Sequence, residues 1–359
     1  VVQQQADSEL LRSAHQAALD YFLAHLPAPP WESLEDLTAY LEGFYHAGEL
    51  GEWQLAFDIL NQERGGEGKN KSVYYFLDFQ GFYRQNAQLY EQVIAGSQRE
   101  QDCHRCSLNR LGNSYESLGQ YEKAIAYNQQ NHDISEEIGD QQGVAFSLGN
   151  LGNCYYFLGQ YEKAIVYLQQ SLEIGKEIGN RQGVAISLCG LGNSYDSLGQ
   201  HEKAISLYQQ YHDISEEIGY RKGVAISLGN LGACYESLGQ YEKAIAYHQQ
   251  FHDISEEIGN RQGVAISLHN IGEALSKLKN YSEAETKIQE SLVISQEINF
   301  KDLIAHSFKS LAAIAHQTNQ PQLALTHCQN ALTLSQELGI PLVKDCEELL
   351  AKIQDDLGE

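Results

Sequence analysis

Residues 111–150 read LGNSYESLGQYEKAIAYNQQNHDISEEIGDQQGVAFSLGN, and the same line begins again at Leu151, Leu191 and Leu231, each time 40 residues on. A looser copy begins at Ile271 and a looser one still at Leu311. No other feature constrains the fold so strongly. A fixed period of this size marks a solenoid, in which each unit buries its apolar face only by stacking on its neighbours.

Each unit holds two helical patterns. In the second, Val144, Leu148, Leu151 and Tyr155 recur at helical spacing and the run stops near Gly159. The next helix carries Tyr161, Ala164, Ile165, Leu168, Ile174 and Ile178 and stops at Gly179. Asp140, Asn180 and Asn260 are placed to cap the helices that follow them. No stretch alternates like a strand. Gly112, Gly152, Gly192, Gly232 and Gly272 fall inside helices, where glycine costs about 1 kcal/mol against alanine. That cost predicts a packing reason: the second helix approaches closely there, through Ala124, Ala164, Ala204, Ala244 or Ala284.

The pattern Leu-Gly-x-x-Tyr followed by Gly-x-Tyr-x-x-Ala, as in Leu151, Gly152, Tyr155, Gly159, Tyr161 and Ala164, resembles the tetratricopeptide (TPR) repeat. Each unit is longer than the family's common length, and the usual helix-ending proline is missing. The ending Ile-Gly-Asn-Arg-Gln-Gly is similar to the longer Pins/LGN subtype. The resemblance spans about 101–340 and implies an all-α, right-handed superhelical solenoid of stacked antiparallel helix pairs.

Only 5 prolines stand among the 359 residues, and many of the 31 glycines occupy repeat positions, as expected of one continuous helical array. No apolar run approaches the ~20 residues needed to span a membrane. The start, VVQQQADSELL, lacks the basic and apolar regions of a secretory signal. The chain holds no methionine, which points to a piece of a longer chain or a processed one. Seven cysteines is an odd number, and Cys154 and Cys234 repeat one position two units apart, so a reducing cytosol is expected. The net charge of -24 argues against nucleic acid or an acidic membrane as partner and favours a basic or neutral one.

In chain order, residues 7–26 read as an amphipathic helix broken by Pro27, Pro29 and Pro30. Trp31 to Leu60 reads as a degenerate hairpin, with Gly51, Trp53 and Ala56 echoing Gly-x-Tyr-x-x-Ala. Residues 62–72 form a polar loop, and Tyr74 to Ile94 gives a second degenerate pair. The expected organisation is therefore degenerate TPR-like hairpins over 1–100, the regular array over 101–340 and a capping helix over 341–359. Residues 17–60 also resemble the region that joins the ATPase core to the TPR array in bacterial, especially cyanobacterial, STAND (NB-ARC-type) signalling ATPases. That resemblance implies a cytoplasmic sensor arm for signal transduction, with an upstream ATPase module in the full-length chain. A stand-alone TPR adaptor is the alternative.

Motifs for chemistry are weak. Gly65–Ser72 fails the spacing of a phosphate loop. Cys103-His104-Arg105-Cys106 is a lone CxxC at a helix start. His248, His252 and Glu256 share a helix face and could hold a metal, but Asn128, Leu168 or Tyr208 breaks the pattern in other units. The histidine at 132, 212 and 252 is better read as packing between repeats. His132 and Asp133 are neighbours on a helix and diverge. No enzyme activity, cofactor or metal is expected.

Binding information should sit where the copies differ. Residues 117–139 and 237–259 differ only at Asn128/His248 and Asn131/Phe251. The other units carry Leu168 with Ser171, and Tyr208 with Tyr211. These positions are three apart and share a face, which is expected to border the concave surface. A second row, on the first helices, comprises Asn113, Asn153 and Asn193 with Asn150, Asn230 and Asn270. Paired donors and acceptors there suit the backbone of an extended peptide. Glu116, Tyr156, Asp196 and Glu236 lie a turn further on, and Arg181, Arg221 and Arg261 mark helix entrances. In the Pins/LGN-like subtype, concave asparagines and arginines contact peptides; the resemblance implies that role here. The expected partner is a protein or peptide with apolar anchors and a basic residue.

Overall fold

The structure is a computed structural model that describes residues 2–63, 72–98 and 102–357. Among them every regular element is helical. The first part comprises α1 (Val2–Ala24), a 3-10 turn at Leu34–Leu37, α2 (Thr38–Glu49), α3 (Trp53–Asn61), α4 (Val73–Phe79) and α5 (Tyr83–Gly96). The repeats supply α6 (Asp102–Ser117), α7 (Tyr121–Ile138), α8 (Gln141–Phe157), α9 (Tyr161–Glu177), α10 (Arg181–Ser197) and α11 (His201–Glu217). They continue with α12 (Arg221–Ser237), α13 (Tyr241–Glu257), α14 (Arg261–Lys277), α15 (Tyr281–Glu297), α16 (Lys301–Gln317) and α17 (Pro321–Leu338), before the last helix, α18 (Leu342–Leu357). The chain divides into two compact units, 1–190 and 191–359. Within each, successive helices pack in pairs, the all-α solenoid arrangement expected of the repeat.

A left-handed residue falls every 20 positions from Gly119 to Gly339. Between these two lie Gly139, Gly159, Gly179, Gly199, Gly219, Gly239 and Gly259, then Lys279, Asn299 and Asn319, all with φ between 55° and 72°. A Cβ at Gly159 or Gly239 would meet nothing within 4 Å, so the turn demands the backbone conformation, not the space. Helix starts follow the expected caps. Asp140, Asn180 and Asn260 accept from the backbone N–H of Gly143, Gly183 and Gly263 at 3.0, 2.9 and 3.1 Å.

The helical glycines do have a packing reason, but the side chain that needs the room differs from the one expected. A Cβ on Gly152 would lie 2.5 Å from Leu168 Cγ, and on Gly192 2.5 Å from Tyr208 Cε1. Gly112, Gly232 and Gly272 make the same hole for Asn128, His248 and Ile288. Alanine and knob sit four apart on one stripe of the second helix, and both are buried. The alanine brings the backbones together, and the glycine admits the larger side chain one turn on.

The N-terminal hairpins are held by aromatics. Trp31 packs edge-on against Tyr40 at 5.2 Å and Phe76 at 6.2 Å, and the Tyr40 hydroxyl donates to Pro27 O at 2.7 Å. The first helix starts at Val2, earlier than residue 7. Of the polar stretch 62–72, residues 64–71, and with them most of the rejected phosphate-loop motif, lie outside the described residues. Ser72 caps α4, accepting from Tyr75 N–H at 3.4 Å.

Candidate functional site

Three cavities repeat at one register of the solenoid. The first, about 370 Å³, lies between α6 and α8 and is lined by Arg105, Arg110, Asn131, Asp140, Gly143 and Phe146. Forty residues on, between α8 and α10, a cavity of about 340 Å³ is lined by the equivalent Ala145, Asn150, Ser171, Asn180, Gly183 and Ile186. In the second unit, between α12 and α14, Ala225, Asn230, Phe251, Asn260, Gly263 and Ile266 line another of about 340 Å³. Two consecutive first helices wall each cavity and a second-helix residue lies on the floor; the cavity at Ser171 extends further, to Gly175 of α9, Asp78 of α4 and Glu116 of α6. Gly149 and Gly229 keep the walls low.

The two variable positions therefore separate. The floor position, Asn131, Ser171 or Phe251, lines a cavity. Tyr211, at the same register, is 3% exposed. The knob position does not face a groove: Asn128, Leu168, Tyr208 and His248 are buried under the glycines. The two positions share a stripe in sequence, but its inner edge is the interface between the paired helices.

The asparagine row is half-buried and partly engaged. Asn150 Nδ2 donates to Asn113 Oδ1 at 3.1 Å and to Asn128 Oδ1 at 3.3 Å. Asn193 Oδ1 accepts from the Tyr208 hydroxyl at 2.7 Å and from Asn230 Nδ2 at 3.4 Å. The row thus ties one first helix to the next while still lining the cavities with Asn113, Asn150, Asn153, Asn230 and Asn270. Arg221 pairs with Glu257 and Arg261 with Glu297, across their own hairpins and at the surface, so these two guanidiniums are committed within the chain. Arg181 is exposed at the start of α10.

The acidic row divides as well. Glu116 lines the central cavity, where burial pushes its carboxyl up to about 7. Asp78 lines the same cavity and is raised by burial too, offset in part by the Arg110 charge. Glu236 is raised to about 7 by burial, and its Oε1 lies 3.8 Å from His248 Nε2. That pair is not an ion pair at neutral pH, because burial holds His248 down near 4. Tyr156 packs on Phe157 and Tyr161, and Asp196 bonds to His201.

The remaining candidates take packing roles. His132 Nδ1 lies 3.3 Å from Ser147 Oγ, and His212 Nδ1 lies 3.0 Å from Ser227 Oγ, each linking one repeat to the next. His252 Nε2 is 3.9 Å from Glu256 Oε1, while His248 is directed into the core, so that trio does not converge. Cys103 and Cys106 are not joined in a disulfide, and Arg105 between them pairs with Asp140 at 2.9 Å. No helix among the described residues is long and apolar enough to cross a membrane. The features missed from sequence are Phe146 and Ile186, 45% and 47% exposed at the cavity mouths. Their recurrence at Ile226 and Ile266, on the outer side of an otherwise buried stripe, was the available signal.

Comparison with solved structures places this geometry among known helical-repeat proteins. The first is a signal transduction ATPase with numerous domains (STAND) protein with a tetratricopeptide repeat sensor from Pyrococcus horikoshii, with a TM-score of 0.70 at 17% identity over 97% of this chain. The chain spans 50% of that protein's length. Aspartyl phosphate phosphatase F from Bacillus subtilis matches with a TM-score of 0.57 at 15% identity, over 91% of this chain and 95% of that one. A Rap protein complexed with competence and sporulation factor matches with a TM-score of 0.55 at 15% identity, over 90% and 99%. At these identities the likeness is one of fold. A search of curated proteins found no match. The family pattern of the tetratricopeptide repeat matches residues 104–177, 158–217 and 223–297, more than half of the chain. The chain belongs to the tetratricopeptide-repeat family.

Proposed function

We propose that the chain is a non-enzymatic protein- or peptide-binding scaffold whose ligand lies along the first-helix cavities. The observation that carries this reading is their recurrence at one register, with asparagine amides on the walls and an exposed Phe146 or Ile186 at the mouth. Hollows with an apolar side chain at the mouth take apolar anchors, and side-chain amides can pair with a backbone whatever its sequence. Asp78 and Glu116 add a preference for a basic residue: each is a carboxyl poorly hydrated by burial, and a cation beside it restores its charged form. The Rap protein of similar fold, complexed with competence and sporulation factor, supports a ligand-binding role.

The likeness to a STAND protein's repeat sensor supports a finer reading, in which this is the cytoplasmic ligand-sensing arm of a larger signalling ATPase. Residues 1–100 would then be the degenerate joining hairpins, 101–340 the sensing array and 341–359 its cap.

The test is a random peptide library panned on the whole chain. Enriched peptides should share apolar anchors and a basic residue. Phe146→Glu with Ile186→Glu should weaken their binding at least about tenfold, because buried anchors dominate such contacts, and should leave the melt unchanged. Failure to enrich any sequence, or enrichment indifferent to the double substitution, would move the site off this face.

A further inference from the structure

One position in the repeat carries histidine in a single copy. The residue that opens the second helix is tyrosine at 121, 161, 241 and 281, histidine at 201 and proline at 321. His201 begins α11, across the turn from Asp196 at the end of α10. Its Nδ1 lies 2.7 Å from Asp196 Oδ1. Cys234, on α12 of the next repeat, points its Sγ at the same oxygen from 3.2 Å. The three donor atoms lie within 4.8 Å of one another, and no other such group of three occurs among the described residues. The units that carry Glu116 and Glu236 have Tyr121 and Tyr241 in place of the histidine.

We propose that Asp196, His201 and Cys234 form a binding site for a divalent transition metal, with Zn²⁺ as its occupant. Thiolate, imidazole and carboxylate together suit zinc and disfavour Mg²⁺ or Ca²⁺, which want oxygen. Zinc bonds of about 2.0–2.3 Å in tetrahedral array separate their donors by roughly 3.3–3.6 Å, so the 2.7 Å Asp196–His201 pair opens by about 0.6 Å and the 3.2 Å Asp196–Cys234 pair by about 0.3 Å. Cys234 Sγ is buried, while the Asp196 and His201 side chains are 33% and 24% exposed. An ion therefore has an entry path and an open fourth position for water.

The balance of the binding step is simple. The Cys234 S–H bond breaks and its proton leaves to solvent, while the sulfur lone pair bonds the metal. His201 binds as the neutral imidazole through Nδ1, with its proton on Nε2. Asp196 binds through its carboxylate, so the +2 ion meets two negative ligands and the filled site is neutral. Binding would clamp the α10–α11 turn to α12, fixing the register of two consecutive repeats.

The test is titration of the untagged, reduced whole chain with Co²⁺, followed by displacement with Zn²⁺. The expected result is one equivalent bound, a thiolate-to-cobalt charge-transfer band, tetrahedral visible bands and one proton released. His201→Tyr restores the residue of four other repeats and should leave the metal-free melt unchanged while weakening binding at least about a hundredfold, since even lesser changes around a site cost 10–100-fold. Cys234→Ala, matching Ala274, should abolish the charge-transfer band. Should His201→Tyr disturb the melt, Asp196→Asn serves in its place. No saturable binding, or an unchanged band in Cys234→Ala, overturns the proposal and leaves the trio as a hydrogen-bonded cluster.

Discussion

Gly229 and Gly232 sit three residues apart in the middle of α12, and alanine at either should gain the same helix propensity, about 1 kcal/mol. Their surroundings differ. A Cβ on Gly229 would meet Phe251 at 3.5 Å, an ordinary contact. A Cβ on Gly232 would lie 2.4 Å from His248 Cε1, 2.6 Å from Nδ1 and 2.7 Å from Nε2. That ring is fully buried and has no free end to swing aside. Overpacking of this kind costs about 1–3 kcal/mol, and three ring atoms in collision place it in the upper half of that range. Gly229→Ala should therefore stabilise by about 0.5–1 kcal/mol and Gly232→Ala destabilise by about 1–2 kcal/mol. Because a repeat array can open in parts, amide exchange within α12 and α13 should be read beside the urea midpoint. On a His248→Ala background, Gly232→Ala should turn favourable, with a coupling of about 2 kcal/mol. Equal shifts for the two alanines, or an absent coupling, would refute the knob-and-hole account of these glycines.

Tyr208→Ala should cost about 3–5 kcal/mol in urea unfolding, as expected for emptying a buried aromatic site. Tyr208→Phe, which loses the hydroxyl that bonds Asn193, should cost about 1 kcal/mol; a negligible loss in the alanine variant would put Tyr208 at the surface. Glu116 is raised to about 7 in the folded chain against 4.5 for the ordinary carboxyl, so the folded state holds the extra proton and stability falls as pH rises through that window. Glu116→Gln should accordingly stabilise the protein at pH 8 and do little at pH 4, measured by urea melts at both; a gain independent of pH would show that the carboxyl is solvated.

The helices and turns were legible because each carries its own punctuation: a cap at Asp140, Asn180 or Asn260, and a glycine every 20 residues. The candidate site was half legible. Asn131, Ser171 and Phe251 were found from their variability and do floor the cavities. Asn128, Tyr208 and His248 varied as much but are buried. Variation signals the surface only where the core cannot accommodate it. Here the glycine hole admits side chains of several shapes, and its polar rim, Asn150 or Asn193, can bond a buried amide or hydroxyl. The Asp196, His201 and Cys234 cluster was invisible, because each residue read alone is one more repeat position and only the turn and the next helix bring them together.

The buried knobs have a consequence for assembly. Helices α7 and α13 are nearly interchangeable in sequence, so a folding chain, or two chains side by side, could mate a first helix with the wrong second helix at little loss of apolar contact. What distinguishes the correct mate is the knob and its rim. Asn128 finds the Asn150 amide in its own place, and Tyr208 finds Asn193. A mate with Gly190 at the rim, in place of Asn150, strands the Asn128 amide, at about 1–3 kcal/mol. The differences among otherwise identical repeats thus act as address labels, written in the interior where only the right neighbour can read them.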